Sequence, residues 1–119
     1  MMTIHEIAVR LHDLVKQGDN TTAYKDLFAD NAVAIEPNFP GFEKVEGLQN
    51  IREKGQVLIG NIQEIKNRKV SEQIVVGDNH ISLGISLDAI LKDGSSFKFS
   101  EVALYEVDNG QIISEQFFY

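Results

Sequence analysis

The stretch Gly77–Gly110, GDNHISLGISLDAILKDGSSFKFSEVALYEVDNG, decides the fold. Ile81, Leu83, Ile85, Leu87, Ala89 and Leu91 alternate with His80, Ser82, Gly84, Ser86, Asp88 and Ile90, the period of a long, half-buried strand. Phe97, Phe99, Ala103, Tyr105 and Val107 alternate in the same way along the next segment. Gly77-Asp78-Asn79, Lys92-Asp93-Gly94 and Asp108-Asn109-Gly110 punctuate these runs as turns, and Asn-Gly is the strongest short hairpin signal. A last strand is expected from Gln111 to Tyr119. Consecutive hairpins of this kind build an antiparallel sheet.

Upstream the period changes to that of a helix. Ile4, Ile7, Ala8, Leu11, Leu14 and Val15 form one apolar face, with Thr3 and Glu6 spaced as a capping box and Gly18 as the stop. Asp19 or Asn20 then caps a short helix whose face carries Tyr24, Leu27 and Phe28. Asp30-Asn31 reads as a turn, after which Val33 and Ile35 alternate with Ala34 and Glu36 until Pro37 stops the strand. Leu48, Ile51, Val57, Leu58 and Ile59 suggest a third helix ending near Gly60, with Gly55 an unfavourable interior residue. Helices followed by hairpins mean an α+β fold, a sheet covered by helices on one face. The 119 residues make one domain, without repeat or linker.

A formal charge of −7 and a pI near 4.8 argue against nucleic acid and anionic membrane surfaces as partners, since both require clustered Lys and Arg. Cys is absent, which removes disulfide and thiolate chemistry. The N-terminal MMTIHEIAVRLHDLV lacks the basic and apolar regions of a signal peptide, so a cytoplasmic location is expected. His5 and His12 are two helical turns apart, too far to share a metal without a third ligand. No phosphate-binding, nucleophile-elbow or zinc motif occurs, and neither cofactor nor metal is expected.

The order of elements, together with Phe-Ala-Asp-Asn-Ala-Val at 28–33, the proline-terminated strand, Glu-Gly-Leu-Gln-Asn-Ile-Arg at 46–52 and Asp-Asn-Gly-Gln-Ile-Ile at 108–113, resembles the SnoaL-like branch of the nuclear transport factor 2-like superfamily. The resemblance implies a cystatin-like α+β roll. In it a curved antiparallel or mixed sheet, wrapped by three N-terminal helices, surrounds a cone-shaped cavity. Members include cyclases, isomerases, dehydratases and non-catalytic binding proteins, so fold alone does not give activity. In the ketosteroid isomerase pattern, the acid before the proline of the first strand is the general base, and Glu36 occupies that place. The pattern's Tyr and acid donors fall on Leu11 and Ala103, so both oxyanion donors are missing and that activity is not expected.

If Ala103 faces the cavity, alternation turns Phe99, Glu101, Tyr105 and Val107 the same way. The matching register on the last strand points Ile113, Glu115, Phe117 and Tyr119 inward. Glu36, Glu101 and Glu115 are then candidate catalytic carboxylates, in a pocket lined by Leu11, Phe39, Phe99, Ala103, Tyr105, Phe117 and Tyr119. Two other arrangements are open. Glu36 could be a solvated strand end, and Glu101 and Glu115 neighbours at a wet rim balanced by Lys98 or Arg52. A small apolar molecule is the expected ligand, bound by an isomerase, cyclase or lyase that moves a proton. The alternative is a non-catalytic ligand-binding or dimerisation module. A homodimer is expected from apolar residues on the opposite side of the last strands, Ile90, Val102, Leu104, Ile112 and Phe118.

Overall fold

The structure, a computed structural model, describes residues 1–119. Helix α1 (Ile4–Gln17) begins with the expected capping box: Thr3 Oγ1 accepts from the Glu6 amide while Glu6 accepts from the Thr3 amide. It ends at Gly18, whose φ of 73° is the left-handed conformation that glycine enters without strain. Helix α2 (Asn20–Leu27) is capped by Asp19, which accepts from the amide and hydroxyl of Thr22. Strand β1 (Phe28–Ile35), the short β2 (Lys44–Glu46) and helix α3 (Leu48–Gly60) follow, so the third helix lies between strands. The chain then runs through β3 (Ile62–Val70), β4 (Val75–Val76), β5 (His80–Leu91), β6 (Ser96–Asp108) and β7 (Gln111–Phe118).

The strands form one sheet in the order β2-β1-β7-β6-β5-β3, with β4 paired to β5. All pairs are antiparallel except β1 with β7, so the sheet is mixed. The hairpin turns fall where the sequence puts them, and Asn109 (φ 50°) and Gly110 (φ 73°) both take the positive φ that a tight β6–β7 turn requires. Helix α1 rests on β3, β4 and β5, and α3 on β1 and β2. Ile7, Leu11, Leu27, Ile51, Ile81 and Ile112 are the largest fully buried side chains of the single core.

Two irregularities depart from the sequence reading. Asp30-Asn31 is not a turn. Both residues lie inside β1, exposed, where the register against β7 jumps from Phe28↔Ile112 to Val33↔Ser114, so several β1 residues bulge out at once. The second shift lies between β6 and β7, where Glu106↔Ser114 is followed by Val107↔Ile112 and Ile113 has no partner. The parity of β7 therefore changes at Ile113. Ile112, expected on the outer face, is fully buried, while Ile113, expected inside, is half-buried.

This parity is testable by truncation. Ile112→Ala should destabilise the chain by about 2–5 kcal/mol, the usual cost of emptying a core aliphatic site. Ile113→Ala should cost distinctly less. Urea denaturation of the two variants gives the ranking, and the reverse order would contradict the bulge.

Candidate functional site

Glu36 follows directly on β1. Alternation along that strand buries Ala32, Ala34 and Glu36 and leaves Val33 and Ile35 half-buried, so Glu36 shares the inward face. Its amide donates to the carbonyl of Glu43 (2.9 Å) and its carbonyl accepts from the amide of Phe39 (3.1 Å). This tight turn at Pro37 brings Phe39 back towards the strand end, where it packs edge-on against Phe42. Glu36 is 8% exposed. Glu36 is therefore not a solvated strand end.

Its partner is Lys54, which sequence reasoning missed. Lys54 stands on α3 one turn beyond Ile51, on the stripe that begins at Leu48, and it is buried with them. Lys54 Nζ donates to Glu36 Oε2 at 3.4 Å, and both side chains are nearly sealed. The same ammonium sits 5.0 Å from the ring centre of Phe117 and 6.0 Å from that of Phe39, within cation–π range. A lysine on an apolar helical stripe was the available signal. Lys98, one of the two cations expected to balance the acids, instead pairs with Asp88. The other, Arg52, makes no ion pair, and its Nε is buried without a partner.

Register fixes the other two carboxylates. Glu115 on β7 lies between Ala34 of β1 and Tyr105 of β6, and the small Ala34 leaves it space. Glu115 is 3% exposed and makes neither hydrogen bond nor ion pair. Glu101 on β6 shares the inward face with Phe99, Ala103 and Tyr105 and is half-buried. Ala103 pairs with Phe117, so Phe117 stands between the two acids along the sheet. Glu101 and Glu115 are therefore not direct cross-strand neighbours.

The electrostatics follow from this crowding. Burial pushes Glu101 up to about 8, helped by Glu36 and opposed by Lys54. Burial likewise pushes Glu115 up to about 7, again against the pull of Lys54. Glu36 is raised by burial and drawn back by its contact with Lys54. Lys54 is the only basic group that acts on all three. Burial, followed by the charge of Glu115, holds the Tyr24 and Tyr105 hydroxyls well above the usual phenol range.

Aromatic rings pair with one another along the same elements. Tyr24, Phe28 and Tyr105 form an edge-to-face chain, with centroids 5.0 and 6.4 Å apart. Tyr24 and Phe28 thus join the site, although the sequence showed them only as a helix face. Phe97 and Phe99 (5.6 Å) and Phe99 and Tyr119 (6.5 Å) form a second run of rings, which ends at the half-exposed Tyr119. Leu11 and Ala103 are fully buried core positions. His12 serves another purpose, donating from Nε2 to the carbonyl of Ser71 at 2.7 Å and tying α1 to the segment before β4. His80 stays exposed at the start of β5. Two open concavities flank α3, of about 260 Å³ beside Asp30 and Arg52 and about 400 Å³ beside Phe42 and Asn50. Neither contains a carboxylate of the cluster.

No curated protein matches this chain. A family model described as a SnoaL-like domain matches residues 2–119. Among solved structures, a Mesorhizobium loti protein described as a candidate SnoaL-like polyketide cyclase, with carbohydrate phosphatase as a second description, is 34% identical. The match covers 99% of this chain and 100% of that one, with a TM-score of 0.89. An NTF2-like protein from Burkholderia thailandensis shares the fold at 16% identity and a TM-score of 0.82, over 99% of this chain and 91% of that one. A candidate isomerase from Bacillus subtilis does so at 18% and 0.72, over 98% and 88%. No helix of the chain is long and apolar enough to cross a membrane.

The raised carboxyls set a pH dependence. A carboxyl whose folded pKa exceeds its unfolded value binds more protons in the native state, so stability falls as pH rises between the two values. For Glu101 and Glu115 that window runs from the ordinary 4.5 to about 8 and about 7, respectively. Thermal melts should therefore show stability declining across this range. The double variant Glu101→Gln/Glu115→Gln should flatten the decline and be the more stable protein at its alkaline end. An unchanged slope would contradict the assignment.

Proposed function

We propose that this chain, which belongs to the SnoaL-like domain family, is a small-molecule pocket protein that moves a proton on a small, largely apolar substrate. The observation that carries this reading is the buried Glu36–Lys54 pair, with Phe117 and Phe39 beside its ammonium and with the buried Glu115 and half-buried Glu101 within reach of its charge. Glu36 is the base. Burial raises its basicity above that of an ordinary carboxylate, while Lys54 keeps the ionised form available. Glu101 remains largely protonated at neutral pH and serves as the acid. It lies two residues from Ala103 on the same strand face, so it supplies the donor missing at Leu11 and Ala103. Glu36 takes a proton from a substrate carbon, while the carboxyl of Glu101 donates to the oxygen on which charge develops. Glu115, near its midpoint at neutral pH, can pass a proton in either direction.

A panel of small apolar ketones in deuterium oxide tests this reading. The protein should speed exchange of protons next to the carbonyl, followed by NMR, and Glu36→Gln should slow it by about a hundredfold or more. Equal exchange by the variant would remove Glu36 as the base. Absence of exchange across the panel would favour the non-catalytic binding reading.

One observation favours an interaction role alongside the pocket. Val102 and Phe118 are cross-strand partners on the outer face of the sheet, 48% and 47% exposed, with Leu104 beside them. We propose that this face forms a two-fold contact between copies of the chain. Sedimentation should give twice the chain mass of 13.3 kDa, and Val102→Lys should give the single mass. A clean monomer at micromolar concentration would contradict it.

A further inference from the structure

The cluster is short of positive charge. It holds the carboxyls of Glu36, Glu101 and Glu115 against one ammonium, and that ammonium is committed to Glu36. Glu115 is the decisive residue. It is 97% buried (3% exposed), faces inward between Ala34 and Tyr105, and has no hydrogen-bond or ionic partner. An unpaired buried carboxylate is costly, and the usual remedies are a proton or a counter-ion. Glu101, two residues before Ala103 on the same strand face, is half-buried on the face that carries Phe99, whose ring meets that of the half-exposed Tyr119. Ring faces beside carboxyls are the surroundings in which an organic cation is attracted twice, by the ring quadrupole and by the charge. A carboxylate ligand would add a further negative charge to the cluster, and a neutral one would leave Glu115 as it is. The chain's formal charge of −7 also favours the approach of cations.

We infer that the ligand of this site is a small molecule with an apolar body and one protonated amine, its ammonium end directed at Glu101 and Glu115 and its body against Phe99, Phe117 and Tyr119. The inference rests on the pocket reading above and narrows its substrate class. In the ligand-free protein a proton stands in for the missing cation at Glu115, and the ligand's ammonium replaces it there, while the carboxyl of Glu101 keeps its proton and accepts from the ammonium through its carbonyl oxygen.

Three probes that share one phenyl-alkyl body separate the possibilities: phenethylamine, phenethyl alcohol and hydrocinnamate, titrated calorimetrically near neutral pH. The amine should bind about tenfold or more tighter than the alcohol, and the carboxylate weakest. Glu101→Gln and Glu115→Gln should each lower the amine's affinity more than the alcohol's. Alcohol binding equal to that of the amine in the unmodified chain overturns the inference and leaves the pocket reading standing. So does amine binding that neither substitution weakens. Binding of none of the three overturns the pocket reading and the inference together. The comparison on the unmodified chain stands even if a Gln variant fails to fold.

Discussion

The pairing of Lys54 with Glu36 is the contact on which the rest of the site depends. Taking either ion out of water alone costs several kcal/mol, and removing one partner strands the other. The pair therefore ties α3 to the end of β1, and with them the turn at Pro37 that carries Phe39. The ammonium's reach over Phe117 extends that tie to β7. One cation thus organises elements that meet from distant parts of the chain, and it does so with less charge than the acids around it would require. Burial raises the pKa values of Glu101 and Glu115, and the single ammonium only partly opposes it.

Backbone irregularity makes the convergence possible. Strand alternation alone would put Ile113 on the face of Glu115. The unpaired residue on β7 changes the parity, so that Ile112 fills the core and Glu115 faces the acids. The bulge in β1 releases Asp30 and Asn31 to solvent and resumes regular pairing at Val33, in time for Ala34 and Glu36 to point inward. The alanines at 32, 34 and 103 contribute by being small. Each is fully buried, and each leaves side-chain volume for Glu36, Glu115 and the rings.

Much of this was legible in the sequence, and what was not has physical causes. The helices, turns and long hairpins followed from local periodicity and capping, which neighbouring residues alone determine. The inward face of β6 was readable because Phe99, Glu101, Ala103 and Tyr105 alternate without interruption. The parallel β1–β7 pair was not, because strand pairing is non-local and no turn signal encodes it. Ile112-Ile113 hid the bulge, since two adjacent isoleucines fit either parity. Lys54 escaped notice because lysine is ordinarily a solvated helix residue, although its place one turn beyond Ile51 put it on the buried stripe. Asp30-Asn31 has turn composition, and the bulge uses the same exposed polar residues that a turn would.

The central claim is that three inward carboxyls share one ammonium, and the direct measurement is a carbon-detected NMR titration of the glutamate side-chain carboxyls. Glu101 should titrate at about 8, Glu115 at about 7, and Glu36 above its ordinary value. Lys54→Met should move all three upward, because Lys54 is the cation that opposes each shift. Ordinary values near 4.5 for all three carboxyls, unmoved by loss of Lys54, would show them to be solvated and would contradict the shared site.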